Sequence, residues 1–546
     1  GQPFHGIERI SDTRNFTFVH INRLSYDKLF ANKHNVSINL LTEYTKAHYR
    51  FNTQEQTGLN PLTWSPGAGT GYIPYNPDDL PASYIPEVAA NDIDAGLFSY
   101  FATADYDFDS RFGLFATIRR DGSYRFTEEN RWGTFWAVSG RWNLDKENFL
   151  SDSETFSSLK LRASYGTTGN QNVIGRNQDS QIADIFLGNN LVRDLNASGT
   201  GVTNTASFFV DNIANPDLVW ETTAQFNVGI DFGLFDNRFT GAIDYYNRLT
   251  TDLYQPVPLS FATGVSNLNA NDGGLRNEGF EFQGRFSLLR EGKFKLNIFG
   301  NISYNEDKFT ALGAADSDGD GSLRIGSNVV RNVGGQVREW FLVPYAGVNP
   351  VNGNLLFTDI NGNLTENPDD GDRRATGKSV FPTYQGGFGF EANYEGFFLN
   401  TLFVYAADQW KIDGNYQFAL DARNAADFPV SNDLFNAWTA PGQVTDVPAL
   451  NANNIDPGNN LSDRFLHDAS YLRLRNLTIG YTVPTRFLNN IFIENLTVRA
   501  TAENYLTFTK WRGLDPERIP VVIGAAEGAG FYPNPKILTV GLDVKF

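Results

Sequence analysis

Residues 536–546 read KILTVGLDVKF, and the chain ends on Phe546. Leu538, Val540, Leu542, Val544 and Phe546 share one parity, while Thr539, Gly541, Asp543 and Lys545 share the other. A period of two is the mark of a strand with one apolar and one polar face. An amphipathic strand that closes on a free aromatic, with no polar tail, suits the last strand of a membrane barrel. That reading requires the pattern to recur upstream.

It recurs. Fifteen strands are predicted, at 15–23, 35–50, 97–106, 111–119, 134–144, 158–166, 222–232, 239–247, 276–288, 294–304, 383–394, 397–406, 469–483, 495–508 and 536–546. Phe226, Val228, Ile230 and Phe232 oppose Gln225, Asn227 and Asp231, and Phe280, Phe282 and Phe286 oppose Glu281, Gln283 and Arg285. Each run is about ten residues, the length a tilted strand needs to cross a bilayer. In 469–483, Leu472 and Leu474 sit on one parity and Leu477, Ile479 and Tyr481 on the other, which predicts a bulge near Asn476.

Alternation alone leaves a soluble sandwich or barrel open. The connections separate the two. Short ones at 107–110, 233–238, 289–293 and 395–396 alternate with long ones at 167–221, 248–275, 305–382, 407–468 and 509–535. Brief turns on one side and large loops on the other are the habit of outer-membrane barrels. A dry interior lined by Lys160, Arg162, Glu281 and Arg285 would also be costly. The fold expected is all-β: a transmembrane antiparallel β-barrel with apolar side chains facing lipid, a wet bore and long extracellular loops.

Composition agrees. No run approaches the ~20 apolar residues of a membrane helix, and aromatics at 14% suit strands and interfacial girdles. Trp132, Trp136 and Trp142 read as girdle residues. The formal charge of −18 argues against a nucleic-acid partner. With no Cys there is no disulfide and no thiol chemistry. The absence of Met, of an initiator and of a signal peptide marks a processed chain or a piece of a longer one. The odd strand count also calls for strands beyond these.

Several candidate sites stand beside plainer readings. Asp316, Asp318 and Asp320 occupy positions 1, 3 and 5 of a calcium-like loop with Gly321 at 6, but Ser327 stands where an acid is needed. Asp359, Asn361 and Asn363 form a second candidate with Asp370 at position 12, although its Gly is misplaced. For both, the alternative is a solvated acidic turn. Trp64, Tyr72, Tyr75, Trp410 and Trp438 fall in the long loops, either to stack on sugar rings or to pack the loops together. The five His show no metal spacing, and no catalytic motif is visible, so an enzyme is not expected. The segment GGQVREW at 334–340 has no following helix to hold a nucleotide phosphate.

Longer motifs are more specific. TIRRDGSYRFTEENRWGTFWAVSGRW at 117–142, LKLRASYGTTGNQ at 159–171, NPDLVWETTAQFNVGIDFGLFDNRFTGAIDYYNR at 215–248, DASYLRLRNLTIGYTVP at 468–484 and the C-terminal segment occur in this order. The chain resembles, from about residue 35 to its end, the barrel of the SusC/RagA family of TonB-dependent transporters of the Bacteroidota outer membrane. The resemblance implies a barrel of about 22 strands around a plug, with residues 1–546 as its C-terminal portion and no plug domain among them. It implies TonB-energised import of an oligosaccharide or oligopeptide, driven by TonB–ExbB–ExbD through that plug. A SusD-like surface lipoprotein would be the lid, and lipopolysaccharide the surrounding leaflet. No cofactor is required, with Ca2+ as a possibility in the loops, and Phe546 would be an assembly signal. The alternatives are a siderophore or metal-chelate receptor, and a passive pore or adhesin without energy coupling.

Overall fold

The structure, a computed structural model, describes residues 6–60, 62–67, 87–171, 195–200, 206–260, 262, 264, 267–316, 319–326, 328–450, 462–488, 492–518 and 532–546. Fifteen strands pair antiparallel in one sheet, each beside its sequence neighbour. They are β1 Ile7–Phe30, β2 His34–Thr57, β3 Glu87–Phe108, β4 Phe112–Ser123, β5 Trp132–Asn143, β6 Phe156–Asn170, β7 Glu221–Leu234 and β8 Phe239–Thr251, then β9 Gly274–Leu289, β10 Phe294–Ala311, β11 Tyr384–Tyr394, β12 Phe397–Ala407, β13 Tyr471–Thr482, β14 Asn495–Thr509 and β15 Ile537–Lys545. All fifteen predicted strands are present.

The register sorts the two faces. One cross-strand row runs Phe112, Trp142, Leu161, Ile230, Ile243, Phe282 and Ile302. The row one residue over runs Gly113, Arg141, Arg162, Gly229, Asp244, Glu281, Ser303 and Gln385. Side chains alternate across a strand, so one face is apolar and the other polar or bare. The apolar face is the open one: Ile243 is 45% exposed, Val540 75% and Leu542 63%. Exposed apolar rows this extensive are covered by something other than water.

Aromatics border the apolar face at both ends. Near the short turns Phe239 packs on Phe232 at 5.2 Å and Phe397 on Tyr481 at 4.3 Å. Near the long loops Tyr245 packs on Phe280 at 5.0 Å and Tyr304 on Tyr384 at 5.3 Å. In β10, Phe294 of the lower belt and Tyr304 of the upper are ten residues apart. At about 3.3 Å per residue and a tilt of about 40°, that is roughly 25 Å along the barrel axis, the height of an outer-membrane apolar band.

The connections alternate between the two ends, with one exception to the expected lengths: 124–131, on the long-loop side, is shorter than 144–155 and 483–494 on the short-turn side. β11 and β12 join through Glu395 and Gly396, with φ of 45° and 97°. Two consecutive left-handed residues make the hairpin turn whose twist matches the sheet. At the other end, loop segments build small sheets of their own. Ser322–Ile325, Val329–Asn332, Glu339–Leu342 and Arg374–Ser379 form one of four strands. Its core of Val329, Trp340, Leu342 and Val380 is shared with Ile412, Leu420, Phe465 and Leu466 of the next long loop. The two loops thus form one packed hub. Other loop residues tuck against the polar face near its rim, as Phe126 and Trp220 do on Phe135 of β5.

The bulge falls at Arg475, one residue before the predicted Asn476, where the register shifts between Leu474 and Asn476. It keeps Leu472, Leu474, Leu477, Ile479 and Tyr481 on one face despite their change of parity. It also leaves Arg473 and Arg475 together on the other.

Candidate functional site

The polar face forms a wall whose charges are tied across strands. Arg162 of β6 grips Asp244 of β8 with two bonds of 2.6 Å and reaches Asp231 of β7 at 3.1 Å. Lys160 lies 3.6 Å from the same Asp231. Arg285 of β9 forks onto Glu391 of β11. Arg119 of β4 donates to Asp121 at 2.6 Å, Ser99 at 2.9 Å and Glu43 at 3.2 Å. Forked guanidinium–carboxylate pairs fix geometry as well as charge, and here each joins two or three strands.

The wall meets the loops at Arg473. Its guanidinium donates to Asp515 at 2.5 Å and Glu517 at 2.6 Å, and Arg475 pairs with Glu517 as well. The side chains of Arg473 and Asp515 are only 4% and 3% exposed. Burial by itself raises the Asp515 pKa, but Arg473 and the amides of Asn534 and Glu517 outweigh it and hold the group below its ordinary range. Nearby, Lys411 is fully buried, and its Nζ donates to the carbonyls of Pro516, at 2.5 Å, and Arg518. These contacts clamp the segment after β14 to both the wall and the hub.

Beneath the hub lies an open chamber of about 1300 Å³, lined by Lys160, Asp231, Asp244, Glu281, Gln283 and Arg285 among others. A second space of about 640 Å³ shares Glu281, Ser303, Gln385, Tyr405, Tyr471 and Glu517 with it, so the two are continuous. A typical small-molecule pocket is apolar and smaller. This one offers a wide, mixed polar and apolar surface on which Lys160, Asp231, Asp244 and Arg285 are ion-paired across strands, while Glu281 has no cation within ion-pair distance among the described residues.

The candidate cation ligands are engaged with protein. Asp316 accepts from the amides of Gly319 and Gly321 at 3.1 and 2.8 Å, and Asp320 from that of Ser322 at 2.7 Å. Asp359 accepts from the amides of Asn361 and Asn363 at 2.9 and 2.7 Å, and from the Asn363 side chain at 3.2 Å. Those bonds hold Asp359 below its usual pKa. Asp370 is held by Arg324 and by Arg373 at 2.8 Å, and its pKa falls to about 2, chiefly through the Arg324 bond. Turn chemistry and guanidinium pairing occupy these groups, and among the described residues no three His or carboxylates gather to hold a metal ion. Asp318 and Ser327 lie outside the described residues.

The aromatic candidates pack rather than project. Trp410 sits under Lys378 at 3.9 Å, bonds Asp408 at 3.1 Å, and takes the Trp340 indole on its carbonyl at 2.9 Å. Trp438 lies over Gly353 and donates to the Pro350 carbonyl at 3.2 Å. Trp64 is half-buried in a turn closed by its own amide on Asn60 at 2.8 Å. Tyr72 and Tyr75 lie outside the described residues.

Sequence reading missed two features. Glu366 accepts from the side chains of Asn349, Asn352 and Asn354 at 2.6, 2.8 and 2.7 Å, which depresses its pKa and pins the loop. The wall-to-loop clamp did leave a trace: Arg473 and Arg475 are two residues apart, as are Asp515 and Glu517.

Comparison with known proteins fits this architecture. A family model described as TonB dependent receptor-like, beta-barrel matches residues 7–505. The chain is 30% identical over 499 residues to TonB-dependent receptor P3 of Formosa agariphila, covering 85% of the chain and 46% of that protein. It is 29% identical over 464 residues to TonB-dependent receptor SusC of Bacteroides thetaiotaomicron, covering 82% and 44%. Among solved structures, the RagAB peptide importer in its open-open state matches with a TM-score of 0.83 at 25% identity, over 99% of this chain and 56% of that one. The chain spans about half the length of the relatives it matches. Outward apolar rows between two aromatic belts, a paired polar bore and a loop hub at one end are the build of an outer-membrane transporter wall, and this chain belongs to the TonB-dependent receptor β-barrel family, in its SusC/RagA branch.

Proposed function

We propose that this chain forms wall and loops of an outer-membrane importer for a large polar nutrient, an oligosaccharide or oligopeptide, energised by TonB–ExbB–ExbD through a plug. A SusD-like surface lipoprotein would seat over the long loops and release cargo into the bore. The observation that carries this reading is the chamber under the hub, wide, open and lined by charges most of which are paired across strands. Such a surface holds a polar chain by many weak bonds without trapping it. The loop carboxylates remain candidates for Ca2+ only at the expense of the turn bonds and ion pairs they now make.

Uptake in cells tests it. The strain carrying the full-length gene should accumulate labelled oligosaccharide or oligopeptide, and a deletion strain should not. A protonophore should stop uptake in the former. Continued gene-dependent uptake after the proton-motive force is dissipated would instead identify a passive pore.

A further inference from the structure

Among the described residues, the outward face carries a concavity for which import has no use. Across β1 to β5, a trough of about 670 Å³ opens toward the lipid side. It exists because a row that is otherwise bulky thins out: Leu24, Leu40, Ala102 and Ile118 are cross-strand neighbours, and Ala102 leaves the gap. The next row toward the long loops is Asn22, Thr42, Tyr100, Arg120 and Thr134, more polar than the row beside it, with the Asn22 amide donating to the Thr42 hydroxyl at 3.1 Å.

Arg120 is the decisive residue. It is exposed, with its guanidinium 5.4 Å from the Trp132 ring centroid, and among the described residues no carboxylate pairs with it. Four residues further along β2 from Thr42, Lys46 is also exposed and without an acidic partner among the described residues. Between their levels lie Phe98 and Trp132, edge to face at 6.3 Å, in the upper aromatic belt. Cations facing lipid are costly unless an anion meets them. At the interface they reach for acidic headgroups.

We propose that β1–β5 bind a phosphate-bearing, acylated lipid of the outer leaflet. Its phosphate sits between Arg120 and Lys46, Thr42 and Thr134 meet the headgroup, and an acyl chain fills the trough over Ala102. The site is independent of what is imported.

The test uses the full-length transporter complex extracted in mild detergent, with co-purifying lipid identified by native mass spectrometry and phosphorus content. Wild type is expected to retain a phosphorylated lipid. Retention should fall about tenfold in the Arg120→Gln, Lys46→Gln double variant, the scale of losing charged hydrogen bonds. It should fall similarly in Ala102→Phe, which fills the trough. Arg120→Lys, which keeps the charge, should retain the lipid, as should Lys33→Gln at the short-turn end. Heat-modifiable mobility verifies that each barrel is folded. Equal retention in wild type and the double variant, or retained lipid without phosphate, overturns the proposal. So does equal loss in Lys33→Gln.

Discussion

A buried guanidinium facing a buried carboxylate draws attention first at the residue scale. Arg473 and Asp515 are both nearly inaccessible; without Asp515 the guanidinium still has Glu517, but without Arg473 the Asp515 carboxylate is buried with no counter-charge. Arg473→Ala should therefore cost about 3–5 kcal/mol, read by urea unfolding of the purified protein in detergent. Replacing both by apolar residues should recover most of that. Asp370 behaves differently because it is largely exposed. Its pKa is lowered from 3.8 to about 2, so the contribution of its ion pairs is complete above the ordinary carboxylate value. It is lost as pH falls through about 2. Hydrogen exchange at Gly371–Arg373 should speed up across that acidic window, and Arg324→Ala should move the change to higher pH. Residues of this kind were only partly legible in the sequence. Acid spacing suggested a cation, but spacing does not show that a guanidinium from a distant strand lies in reach, as Arg324 does of Asp370.

At the scale of the element, strand alternation is what the sequence displayed best, and it did so because the two faces meet different solvents. Placing Arg at Val228 or Val540 should cost ~2–4 kcal/mol if each lies near the middle of the band, measurable by reversible unfolding in lipid vesicles. A negligible change at both would mean those faces meet water. Phe546 continues the apolar parity of β15 and is 80% exposed. Phe546→Ser should lower the yield of heat-modifiable barrel in the outer membrane, and an unchanged yield would remove its assembly role. Strand ends were read poorly. β1 runs over Ile7–Phe30 and β3 over Glu87–Phe108, far past the predicted 15–23 and 97–106. Beyond the aromatic belt the polarity inverts: His48 pairs with Asp94 at 3.1 Å and Arg50 with Asp92 at 2.8 Å on the outward face, while Ala47, Tyr49, Ile93 and Ala95 form a buried cluster on the other. An alternation that changes sign part-way along a strand hides where the strand ends. The four- and six-residue strands of the loop hub are too short to carry a clear period.

For the whole molecule, the division of labour follows the alternation of short and long connections. The wall owes its shape to register and to ion pairs between strands. The hub has an apolar core of its own around Trp340, which is 3% exposed. Truncating such a residue costs about 3–5 kcal/mol where it packs. Trp340→Ala should therefore expose the long loops to protease while leaving the heat-modifiable barrel intact. Loss of the barrel along with the loops would show that the two are one cooperative unit.

That separate core has a further consequence. Because the hub is glued to itself and pinned to the wall at a few points such as Lys411 and Arg473, its contours can be recarved over generations without disturbing how the staves of the cask fit. On the import role proposed above, a lineage facing a new diet needs only fresh upholstery above a frame it already owns.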